Sequence, residues 1–207
     1  KVVQAGKGDG VFINTTGVGV TRPGVHISGS LARPGDAILV SGTMGDHGVA
    51  VMSVREGLRF GTSLRSDTRS LHTLVAAMLD AVQDIHVLRD PTRGGLGATL
   101  NEIASQSGVG MRLTESAIPV RGEVRAACEL LGLDPLYVAN EGKLLAICPA
   151  GQADALLSAL RAHPHGRDAA QIGTVVDDPN HFVQMTTALG GQRMVDWLAG
   201  EQLPRIC

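Results

Sequence analysis

Two strand-like runs, QIGTVV at residues 171–176 and HFVQMTT at 181–187, follow each other with no helical segment between them. Elsewhere between residues 36 and 195, strand-like and helix-like runs are mixed. A strict βαβ winding would put a helix between successive strands. The direct succession therefore argues for an α+β domain, a mixed β-sheet with helices on one side. Both runs read as edge-like strands.

In chain order, KVVQ and VFINTTG flank a glycine turn and read as two short strands within Lys1–Thr16. A hairpin is marginal alone, so these strands need a sheet to join. Residues 17–35 hold five glycines and two prolines, which places a boundary linker at 21–35. The regular domain spans 36–195. DAILVSG is an apolar strand, and a glycine-rich turn leads into the helix of GTMGDHGVAVMSVREG. Leu71, Leu74, Val75, Met78 and Leu79 recur at helical spacing. IHVLRDPTRGGLGATLNEIASQ reads as strand, tight polar turn and helix. GVGMRLTESAIPV supplies a strand, and GEVRAACELLG a helix closed by Gly132. LDPLYVANEGKLLAICP is a loop and a strong strand, and GQADALLSALRAH is a helix.

At 207 residues with 43% hydrophobic and 18% charged residues, the chain can bury a real core. A net charge of −2 and 2% aromatics exclude a basic or base-stacking nucleic-acid surface. No apolar run has the ~18 residues of a membrane span. Cys128, Cys148 and Cys207 lack metal or disulfide spacing, so a cytoplasmic protein is expected. Cys128 in a helix and Cys148 in a strand read as small core residues. The pair His163 and His165 reads as a solvent loop and not as a metal site.

Two turns carry candidate chemistry. Arg89-Asp90-Pro91-Thr92-Arg93-Gly94-Gly95 follows a strand and opens a helix. Unscreened N–H groups at such a terminus suit a phosphate, and Asp90 could hold a metal. Equally, Asp90 or Thr92 could be a helix N-cap and the glycines a packing device. The second turn is Asn140-Glu141-Gly142-Lys143, before the strand LLAIC. Glu141 at the mouth of a buried strand is a candidate proton acceptor. The alternative is an ordinary turn, with Glu141 and Lys143 a solvated pair. The tail 196–207 reads as flexible and ends in Pro204-Arg205-Ile206-Cys207. Its thiol is either a frayed end or a group on an arm of about 30 Å.

The terminal PRIC, the NEGKL turn, the DPTRGGL turn and the opening KVV…FINTTG together resemble the hydrogenase-maturation carbamoyl dehydratases. These belong to the superfamily of aminoimidazole ribonucleotide synthetase, selenophosphate synthetase and thiamine-monophosphate kinase. DxTxGGL is shared across the superfamily, whereas NEGKL and a terminal PRIC are sharper. The resemblance implies two α/β domains, with ATP and Mg2+ bound mainly by the N-terminal one, and a homodimer formed through it. It also implies a truncated chain, in which residues 1–20 are the last strands of that domain. The implied activity is ATP-dependent dehydration of an S-carbamoyl group on Cys207 to a thiocyanate, which supplies cyanide for hydrogenase iron. Cys207 would be the carrier, Glu141 the proton acceptor and Lys1 its electrostatic or proton-relay partner. Asp90, Thr92, Arg93, Gly94 and Gly95 would face the phosphates or the domain interface, with Asn140 and Gly142 supporting the turn. Implied partners are a carbamoyltransferase that loads Cys207 and an iron-carrying maturation scaffold. The alternatives are another ATP-dependent kinase or synthetase of the superfamily, or a non-catalytic binding domain.

Overall fold

The computed structural model describes residues 16–55, 57 and 64–198. The expected opening strands with Lys1, and the tail from residue 199 with Cys207, lie outside the described residues.

Among the described residues, seven strands form one sheet: β1 (Asp36–Val40), β2 (Val87–Arg89), β3 (Gly110–Thr114), β4 (Leu145–Pro149), β5 (Ala170–Val176), β6 (Val183–Thr186) and β7 (Gln192–Met194). Their spatial order is β2–β4–β1–β5–β3–β6–β7. All pairings are antiparallel except that of β3 with β6, which is parallel. The helices are α1 (Asp46–Arg55), α2 (His72–Ala81), α3 (Gly95–Ser107), α4 (Gly122–Leu131) and α5 (Ala153–Ala162). The architecture is the expected α+β mixed sheet.

Two details differ from expectation. The strands of QIGTVV and HFVQMTT are not edges. β3 inserts between them, so β5 is central and β6 is covered by β7. Among the described residues β2 and β7 are the edges, and β7 comes from three residues, too few to show a periodic pattern. The helices also cover both faces of the sheet. β1 is buried at every position and apolar from Ala37 to Val40, which requires cover on two sides. Ala37 and Leu39 face α2 and α5, together with Leu74, Met78, Leu156 and Leu160. Ile38 and Val40 face α3, with Leu96, Leu100 and Ile103. A smaller cluster joins Val49 of α1 to Val124, Ala127 and Cys128 of α4.

The spacing read for α2 holds. Leu74 and Met78 are fully buried, while Leu71, Val75 and Leu79 pack beside them. Each fully buried side chain of this size contributes about 1.5–3 kcal/mol. Residues before β1 also touch the domain. Ala32 is buried in the α3 side of the core, and the Ser28 N–H donates to the His86 carbonyl at 3.1 Å.

Candidate active site

Sheet register brings both chemical turns to one place. β2 ends at Arg89, which pairs with Leu145 at the start of β4, and Leu145 pairs with Val40 at the end of β1. The three connecting segments, 41–45, 90–94 and 139–144, therefore meet at the same end of the sheet. Asn140 ties them together. It is fully buried, and its Oδ1 accepts the Gly45 N–H at 2.8 Å. Its Nδ2 donates to the carbonyls of Pro91 at 3.0 Å and Val138 at 3.1 Å.

Gly94 and Gly95 both adopt left-handed backbone, with φ of 70° and 61°. A Cβ on Gly95 would sit 2.5 Å from the Leu136 carbonyl oxygen and 2.7 Å from that of Val138. Gly95 thus admits the backbone of residues 136–138 against the start of α3, whereas a Cβ on Gly94 would sit 2.5 Å from that of Ala98. The N-cap position is Gly94, not Asp90 or Thr92, and no side chain caps the helix. Asp90 is more than half exposed, and Arg89 donates to Glu102 at 2.7 Å.

A cavity of about 450 Å³ lies beside this turn, lined by Arg89, Asp90, Thr92, Arg93, Thr99, Glu102 and Glu141. Glu141 and the 90–93 turn therefore face one polar space. Two guanidinium groups and two hydroxyls suit phosphate oxygens, whereas three carboxylates suit bound protons or a cation. Among the described residues, no three His, Cys, Asp or Glu side chains are grouped to hold a metal.

Below the turn, Lys143 is buried and pairs with Asp46 instead of Glu141. Its Nζ lies 3.2 Å from Thr43 Oγ1 and 3.3 Å from Asp46 Oδ2. Thr43 also donates to Asp46, and the Arg121 guanidinium stands 3.7 Å from its other oxygen. The reading of a solvated Glu141–Lys143 pair is thus corrected. The ammonium lies on the same side of its strand entry as the α1 terminus, where the buried Asp46 needs a cation. Asp67 is the residue that the sequence reading missed. It is 2% exposed, and its Oδ1 accepts the N–H groups of Glu141 at 3.0 Å and Gly142 at 3.2 Å. Its segment, SDT, carries no periodicity or motif that marks it.

The chain leading to the tail is fixed nearby. Asn101 of α3 donates to the Val195 carbonyl at 2.9 Å, and the Tyr137 hydroxyl donates to the Asp196 carbonyl at 2.8 Å.

Cys128 and Cys148 are buried, as expected for core residues. Burial first, then nearby carboxylates (Asp134 for Cys128, Asp36 for Cys148), pushes each thiol up to about 11. For Cys148 the unfolded chain loses its proton near 9.0 while the folded one keeps it to about 11. This contribution to stability is therefore whole below pH 9 and falls as pH rises toward 11, at about 1.4 kcal/mol per unit. Urea titrations from pH 8.5 to 10.5 should show a loss in wild type about 2 kcal/mol larger than in Cys148→Ala. Equal slopes would contradict this.

Residues 33–186 match the family described as AIR synthase related protein, C-terminal domain. The chain belongs to that family. Within the AIR synthase related family, the whole chain is 71% identical to the carbamoyl dehydratase HypE of Azotobacter vinelandii, covering 61% of that protein. It thus spans about three fifths of the length of this relative. A crystal structure of the hydrogenase maturation protein HypE in complex with ATP is 54% identical, with a TM-score of 0.82 over 87% of this chain and 55% of that one. A HypE–HypF complex is 43% identical, with a TM-score of 0.81 over 84% of this chain and 56% of that one. No helix of the described residues is long and apolar enough to cross a membrane.

Proposed function

We propose that this chain is the C-terminal part of a carbamoyl dehydratase of hydrogenase maturation. The supporting observation is that Glu141 shares one polar cavity with the Asp90–Arg93 turn. The identity of 71% to a carbamoyl dehydratase favours this chemistry over that of other members of the family.

The substrate is an S-carboxamide on Cys207, R–S–C(=O)–NH2. ATP phosphorylates the carboxamide oxygen and leaves as ADP, which turns a poor leaving group into phosphate. Glu141 takes the two N–H protons in turn, passing the first to solvent as the O-phosphorylated imidate forms; with loss of the second the C–O bond to phosphate breaks and the nitrogen electrons close the nitrile of R–S–C≡N. Arg93 and Thr92, which line the same cavity, receive the departing phosphate in this mechanism, and Lys1 assists the proton transfer. ATP and Mg2+ are bound mainly by the N-terminal domain of the full-length protein.

The tail can reach this cavity. Val195 is held at Asn101, six residues along α3 from Gly95, or about 9 Å of helix rise. The nine residues after Leu198 span up to about 30 Å. A carbamoyltransferase loads the thiol, and a relative crystallised with HypF supports a protein partner. The nitrile passes to an iron-carrying scaffold. The whole protein works as a cytoplasmic homodimer.

The test is peptide mass analysis of the full-length protein, carbamoylated and then given ATP. The Cys207 peptide should lose about 18 Da, the mass of water, only when ATP is present. A carbamoylated peptide unchanged by ATP would end this reading.

A further inference from the structure

Asp67 carries a buried carboxylate that forms no ion pair among the described residues. Oδ1 takes two backbone N–H groups, those of Glu141 and Gly142, while Oδ2 is buried and has no hydrogen-bond partner. The rest of the residue is equally fixed. Arg69 Nε donates to its carbonyl oxygen at 2.9 Å, and that oxygen lies so close to Gly142 that no side chain fits there. A buried carboxylate with one unpaired oxygen costs stability, so its presence calls for a compensating role. What it does hold is the orientation of two successive peptide groups, one of which carries Glu141.

We propose that Asp67 is the positioning residue of the candidate active site, fixing the Glu141–Gly142 peptides so that the Glu141 carboxylate points into the cavity beside Thr92 and Arg93. This rests on the reading of Glu141 as proton acceptor. Charge-assisted bonds to backbone N–H groups are short and strong, and they set direction as well as energy. A displacement of about 1 Å at a reacting group lowers a rate by about 100-fold.

The full-length protein is compared as wild type, Asp67→Ala and Asp67→Asn. Two quantities are read: hydrogen exchange at the Glu141 and Gly142 amides, and single-turnover dehydration of the carbamoylated tail. Asp67→Ala should speed exchange at both amides at least tenfold, the loss of a bond to a charged acceptor being at least about that size. It should also slow dehydration by about 100-fold while tail loading is unchanged. Asp67→Asn keeps the accepting oxygen and should restore both to within about tenfold of wild type. Wild-type exchange in Asp67→Ala overturns the structural half. Faster exchange with an unchanged dehydration rate overturns the positioning role and leaves the proposed function intact. If wild-type protein itself fails to dehydrate, the reading of Glu141 falls, and the catalytic half of the inference with it.

Discussion

Glu141→Gln in the full-length protein should lower the dehydration rate by about 10²–10⁴-fold, the range for removing a general acid–base group. The change is nearly isosteric. The Glu141 N–H still donates to Asp67, and the residue packs into no hydrophobic cluster, so the fold should be kept. ATP affinity and loading of the tail should be little altered, because neither uses the Glu141 carboxylate. Stopped reactions sampled for thiocyanate check the rate. A wild-type rate would move the proton acceptor away from this residue.

Gly142→Ala should have the largest effect on stability, about 4 kcal/mol. The added Cβ would lie within the van der Waals radius of the Asp67 carbonyl oxygen and 2.9 Å from Arg69 Cγ. The carbonyl belongs to backbone, so relief requires the 67–69 segment to move, which breaks both N–H bonds to Asp67. For a chain of this size the melting temperature should fall by about 10 °C. Gly151→Ala is the control. It is exposed with nothing within 4 Å of the added Cβ, and should stay within about 0.5 kcal/mol of wild type. Equal melting temperatures for the two variants would show that the turn does not pack as described.

The elements themselves were legible because they follow periodicity. The 71–79 stripe predicted α2, and the glycine at 132 marked the end of α4. Edge and centre were not legible, since β3 separates β5 from β6 in space but not in any local pattern. The two glycines at 94 and 95 signalled a special backbone, and the structure assigns Gly95 to packing against residues 136–138 and Gly94 to the tight start of α3 beside Ala98. Glu141 and the 90–93 turn are 48 or more positions apart, and only the β2–β4 register brings them to one cavity. Asp67 and the Lys143–Asp46 pair were invisible for a related reason. Their partners lie 74 to 97 positions away, and a lone Asp or Lys has no spacing to read.

The central claim is that the carboxamide oxygen leaves as phosphate from a tail brought to the Glu141 cavity. The most direct measurement uses full-length protein loaded with a carbamoyl group labelled with heavy oxygen and then given unlabelled ATP in unlabelled water. One labelled oxygen should appear in inorganic phosphate for each thiocyanate formed, and Glu141→Gln should suppress both together. Label remaining on the tail, or released as carbon dioxide with no labelled phosphate, would contradict it.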